Sequence, residues 1–179
     1  MTHWRRFLVG IVGALSLAGI STAGVAADEG GTVITYQSMT TVAAPFLAPA
    51  MNDRGLVGGG IPWVITSGTG TVTRDGHVTA TVVGLVLANV PAAGSNAGTN
   101  PIHTFAAVVS CRTTAQTVAN VRTPGVPATT AGDASIDTTV DLPRPCTTPE
   151  VFVGGLIGTA PNQVFRWFAV SNGDFADNS

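Results

Sequence analysis

Between Gly68 and Val82 the chain alternates regularly enough to declare its own faces. Thr69, Thr71 and Thr73 interleave with Gly70 and Val72, and beyond Arg74-Asp75-Gly76 the residues Val78, Ala80 and Val82 interleave with His77, Thr79 and Thr81. A period of two predicts strands, and two such runs around Asp-Gly predict a hairpin. Asp75-Gly76 alone suits a two-residue type I′ turn. That register sets Val72 opposite Thr79 and mixes polar with apolar on both faces. A three-residue loop Arg74-Asp75-Gly76, with Gly76 left-handed in a G1 bulge, pairs Val72 with Val78, Thr71 with Thr79 and Thr69 with Thr81. One face is then apolar and the other hydroxylated. Because register follows the face pattern, the three-residue loop is the prediction.

The rest of the chain reads in the same way, as short runs rich in Val, Ile, Thr and aromatics between Gly/Pro/Asn segments. Strands are expected near 32–37, 61–67, 69–73, 77–87, 103–111, 117–122, 134–142, 150–154 and 164–170. Val82-Val83-Gly84-Leu85-Val86-Leu87 is apolar on both faces, so this strand runs from a solvated edge into the interior, with Gly84 as a bulge. Ala134, Ile136, Val140 and Leu142 are expected inside, with Ser135, Asp137, Thr139 and Asp141 outside. Phe105, Ala107, Val109 and Cys111 form a second inward set. Pro143 and Pro145 interrupt the chain before Cys146. The fold class is all-β: a two-sheet antiparallel β-sandwich, with a small β-barrel as the alternative. The connections 43–60, 88–101 and 123–132 are long, and such loops serve either binding or simple spacing.

The first 27 residues follow another pattern. Arg5-Arg6 precede an apolar stretch from Phe7 to Ile20, and Val25 and Ala27 supply small side chains for a signal peptidase, predicting cleavage before Asp28. A bilayer span needs about 20 apolar residues, and this stretch has 14, four of them Gly or Ser. The expectation is therefore a helical signal peptide over 1–27 and a single β domain over 28–179. Paired arginines before Phe-Leu leave the general and twin-arginine routes both open. The polar C-terminus and the lack of a cysteine near the cleavage site imply no membrane anchor after signal removal, hence a secreted, extracellular protein.

Composition narrows the functions. No Lys occurs anywhere, and six arginines against ten acidic residues leave the mature chain at −4. Phosphate backbones need a basic footprint, so no nucleic-acid partner is expected. Cys111 and Cys146 are the two cysteines, and an even count in an exported chain predicts a disulfide between them.

Candidate chemistry is sparse. His77 follows the hairpin turn and reads as solvated; His103 opens a strand among polar neighbours. No H-x-H, H-E-x-x-H or Cys/His cluster offers a metal site. A Ser-His-Asp arrangement is spatial and not legible as a spacing, so a small extracellular hydrolase using His77 or His103 is the alternative function. Asp137 and Asp141 share one outward face and read as solvated, and Glu150 stands alone, so paired carboxylates for glycoside hydrolysis are not indicated. Asp174 to Asn178 supplies oxygen ligands without the spacing of an EF-hand. Gly68-Thr-Gly70 precedes neither Lys-Ser/Thr nor a helix, and so is not a phosphate loop. Trp63, Phe165 and Trp167 belong either to the core or to a ligand platform that stacks on sugar rings. No cofactor is implied.

Pro62-Trp63-Val-Ile-Thr-Ser-Gly68, Asp75-Gly76, Val83-Gly-Leu-Val-Leu87, Val108-Val-Ser-Cys111, Pro127-Ala-Thr-Thr, Val140-Asp-Leu-Pro143, Cys146 and Trp167-Phe-Ala-Val170 resemble a group of small uncharacterised secreted bacterial proteins. The resemblance spans most of the mature chain and implies a shared fold and export, with no activity attached. The function expected is thus a non-catalytic binding or structural module, with a cell-surface or carbohydrate ligand as the candidate partner.

Overall fold

The computed structural model describes residues 30–114, 117–159 and 161–175. The expected signal peptide lies outside them, as does most of the acidic C-terminal stretch. The strands are β1 Thr32–Thr41, β2 Trp63–Val64, β3 Ser67–Thr73, β4 His77–Val83, β5 Val86–Leu87, β6 Thr104–Arg112, β7 Val118–Arg122, β8 Val126–Pro127, β9 Ala134–Thr139, β10 Thr147–Ile157 and β11 Val164–Phe175, with one 3₁₀ segment at Pro91–Asn96. One curled antiparallel sheet, a half-barrel, takes the order β7-β6-β10-β11-β1-β3-β4-β9, with β8 also on β6; β2 and β5 form a small second sheet.

The all-β expectation holds, and the finer architecture differs from it. A sandwich needs two sheets of comparable size, whereas here one sheet carries almost every strand. The sheet curls upon itself instead, with β8 beside β9 but not paired to it. Two predicted strands are also cut short. Of 61–67 only Trp63–Val64 pairs with β5, and Ser67 already belongs to β3. The 77–87 run breaks at Gly84, which is a corner and not a bulge. Gly84 has φ +66°, its N–H donates to Asp133 Oδ1 at 2.9 Å, and Leu85 N–H donates to Gly132 O. The chain there leaves the large sheet for the small one.

The hairpin is as predicted. Val72 pairs with Val78, Thr71 with Thr79 and Thr69 with Thr81, and Gly76 stands at φ +88°. Val72, Val78, Ala80 and Val82 are buried while Thr79 and Thr81 are not. In β9, Ala134 and Ile136 are buried and Ser135 and Asp137 exposed, but pairing ends at Thr139.

β6 departs from simple alternation, since every residue from Phe105 to Cys111 is buried. Phe105, Ala107, Val109 and Cys111 face the inside of the curl, as expected. Ala106, Val108 and Ser110 point the other way, to the side on which residues 43–60 meet Trp167, Glu150 and Asn120. That segment donates from Gly59 N–H to Trp167 O, and its Val57 O accepts from Trp167 N–H. Those bonds set Gly58 beside Trp167 in the plane of the sheet. Phe46, Arg54 and Leu56 meet Trp167 and Glu150 on its outer face, so the long loop is an ordered layer and not a spacer.

Candidate functional site

The half of the outer sheet that the 43–60 layer leaves bare is made by β1, β3, β4 and β9. Register alignment places Thr35, Thr71, Thr79 and Asp137 in one row across the four strands. Thr32, Thr73, His77 and Thr139 form the row beside it, and Thr69, Thr81 and Ser135 the row on the other side. None of these residues is buried. Strand geometry sets neighbouring hydroxyls roughly 4.8 Å apart across strands and about 6.7 Å apart along them. β-Branched Thr is stiff at χ1, so the hydroxyls hold their positions. Thr79 Oγ1 goes further, accepting from Thr71 N–H at 3.2 Å and donating to Thr71 O at 3.4 Å.

Both candidate histidines are found at the surface. His77 Nε2 lies 2.7 Å from Asp137 Oδ1, with the two side chains 44% and 74% exposed. The nearby Thr73 hydroxyl donates to Asp75 and to His77 O. Its bond to Asp75 holds that carboxyl below the usual carboxylate range. No Ser or Thr hydroxyl among the described residues bonds to the His77 ring. His103 is exposed, and its backbone carbonyl accepts from Ala128 N–H. Among the described residues the ring contact shown for a histidine is that of His77 with Asp137.

The aromatic residues are core, and this corrects the platform reading for two of the three. Trp63 is 4% exposed and stacks on Phe168 with ring centres 3.8 Å apart, while Phe105 meets both edge-on. A register shift opposite Val153/Gly154 lets Phe168 and Ala169 both turn inward. Trp167 consequently points to the outer face, packs against Phe152 and Phe46, and donates from Nε1 to Leu56 O at 3.3 Å. The 43–60 layer buries it there. Phe165 is half-buried. Aromatic rings on both faces of β11 do not leave one side open, because the chain supplies its own cover.

Sequence reasoning missed Arg54. Its side chain is 3% exposed, with Nη2 2.7 Å from Glu150 Oε1 and 2.8 Å from Thr148 O. Asn120 Nδ2 donates to Arg54 O, tying β7 to the same layer. β10 shifts register between Thr147 and Glu150, and Thr148 adopts φ +40°, a left-handed conformation uncommon for a β-branched residue. Asn-Asp-Arg-Gly is what any exposed turn looks like; only the lone Glu150 on a strand hinted that a cation would come to it.

Cys111 and Cys146 are bonded, with Cα atoms 4.8 Å apart. The bond joins the end of β6 to the residue before β10, its neighbour in the sheet. No group of three or more His, Cys, Asp or Glu among the described residues could hold a metal, and no described helix is long and apolar enough to cross a membrane. Compared with known protein families, curated proteins and solved structures, the chain matches none.

Proposed function

We propose that this is an exported, non-catalytic binding module, released from its leader at Asp28 and related in fold to small secreted bacterial proteins. The disulfide fits an extracellular setting. The observation that carries the binding reading is the asymmetry of the outer sheet: one half is roofed by residues 43–60, and the other is an uncovered array of hydroxyls. In this reading the roof and the β2–β5 ribbon take the part that a second sheet plays in a sandwich.

Within the three rows the one acid and one base are paired with each other, and Asp75 at the hairpin end is bonded to Thr73. A hydroxyl-lined surface with so little charge matches an uncharged polyhydroxylated ligand, such as cell-surface carbohydrate, read by hydrogen bonds and not by ring stacking. Neutral-glycan arrays probed with the protein test this. Binding is expected, and it should be lost when exposed Thr35 and Thr81 are both changed to Lys. Equal binding by that variant would remove the face from the account.

The hydrolase reading has one observation in its favour, the His77–Asp137 contact. Both groups are too exposed for the water-excluded setting in which such pairs stabilise developing charge. Chromogenic ester, peptide and glycoside substrates should show no turnover that His77→Ala or His103→Ala abolishes.

A further inference from the structure

We propose that the space between the Arg54 guanidinium and the Ser110 hydroxyl, under the 43–60 layer, is a binding site for one buried water molecule. The site lies on the covered half of the outer face, away from the hydroxyl rows, and is independent of what they bind.

Strand register builds its floor. Ser110 pairs with Asn120 on β7 and with Glu150 on β10. Residues directly opposite in a ladder share a face, so Asn120, Ser110 and Glu150 form one polar row with the serine in the middle. Arg54 lies across that row. Its carbonyl accepts from Asn120 Nδ2 at one end, and its Nη2 donates to Glu150 Oε1 at the other. The serine between them is fully buried, and the arginine side chain is 3% exposed.

The two central groups are short of partners. Nη2 donates to Glu150 and to the Thr148 carbonyl, whereas Nε and Nη1 have no protein partner. Asp53 stands 3.8 Å from Nε, an ion pair too long for a hydrogen bond. Ser110 Oγ has no protein partner either. A buried polar group left unpaired carries its full desolvation cost, and native folds meet that need with protein or ordered water. Neighbouring strands are about 4.8 Å apart, so a guanidinium bonded to Glu150 stands near the serine opposite. A water bonded to both would span roughly 5–6 Å, two hydrogen-bond lengths.

The surrounding charges select a neutral occupant. Arg54 and Arg112 are matched by Asp53 and Glu150, so this cluster leaves no positive charge over to hold an anion. A guanidinium only donates, while a hydroxyl donates and accepts. Water fits between them. It accepts from Arg54 and donates to Ser110 Oγ and to the Glu150 carboxylate, within the range of about two to four bonds that interior waters make. The exposed Asn120 end of the row is its way in. Held there, the water fastens the tip of the 43–60 layer to β6 as well as to β10.

A crystal structure of the disulfide-intact protein, at a resolution that shows ordered solvent, tests this. The expected result is a solvent peak within about 3.2 Å of Ser110 Oγ and of Arg54 Nε or Nη1. Soaking the crystals in bromide should give no anomalous signal there. In Ser110→Ala, which removes one partner, the peak should vanish or move. Well-ordered Arg54 and Ser110 side chains with no peak between them, a bromide signal at the site, or an unchanged peak in Ser110→Ala would each overturn the proposal. If Ser110→Ala does not fold, the wild-type crystals alone decide.

Discussion

The phenol of Tyr36 occupies the space that a side chain at Gly70, its cross-strand partner, would need. A Cβ at Gly70 would stand 2.3 Å from Tyr36 Oη and 2.3 Å from Thr79 O. The buried aromatic ring lies over the strand glycine, between β1 and β3. Gly70→Ala is expected to cost roughly 1–3 kcal/mol by overpacking, measured as a shift in denaturant midpoint.

Tyr36 is the only tyrosine, and burial pushes its phenol well above the usual range. Its Oη has no hydrogen-bond partner. Below about pH 10 the phenol is protonated whether the chain is folded or not, so it adds no pH dependence. Above that the unfolded chain ionises and the folded one does not, so stability falls as pH rises. Tyrosinate absorbance should therefore appear only together with unfolding. Tyr36→Phe removes an unpaired buried hydroxyl and should raise stability by on the order of 1 kcal/mol.

At the hairpin, Gly76→Ala meets more than its positive φ. A Cβ there would lie 1.9 Å from Val140 O, and Val140 N–H donates to Gly76 O. The chain beyond β9 is laid directly against the turn. The expected loss is about 2–4 kcal/mol, beyond the roughly 1 kcal/mol of backbone strain alone. Equilibrium unfolding of the variant checks this.

This site shows what the sequence carried and what it did not. The register around Gly76 was legible because two alternating runs face each other across three residues. That Val140 packs on the turn was not, since it depends on how β9 exits the sheet. The same boundary runs through the fold. Strand positions follow from local period, but β1 lies between β11 and β3, an order that no local pattern encodes. Trp167 looked free to form a platform because nothing in Phe165-Arg-Trp-Phe168 reveals the roof, and the roof depends on an arginine that reads as a surface residue.

Thr123 makes a fourth test. It sits 2% exposed where the edge strand kinks between β7 and β8. Its N–H donates to Ala107 O, and its Oγ1 accepts from Ala107 N–H at 3.0 Å. A side chain thus completes the ladder where Pro124 interrupts it. Thr123→Val keeps the shape and leaves a buried N–H unpaired, so it should cost about 1–3 kcal/mol in thermal or denaturant unfolding.

The Cys111–Cys146 bond closes a loop with a sequence separation of 35. In the chain-entropy model that restricts the unfolded state by roughly 4 kcal/mol. Cys111→Ala with Cys146→Ala should lower the unfolding free energy by about that amount. Titration of the native, unreduced protein should find no thiol.

Where a ligand lands decides whether the hydroxyl rows bind it. Amide shifts of the isotopically labelled protein, followed as a neutral oligosaccharide selected by array binding is added, report this residue by residue. The shifts should concentrate at Thr35, Thr69, Thr71, Thr79, Thr81 and Asp137. Shifts confined to residues 43–60, or none within the hydroxyl rows, would contradict it.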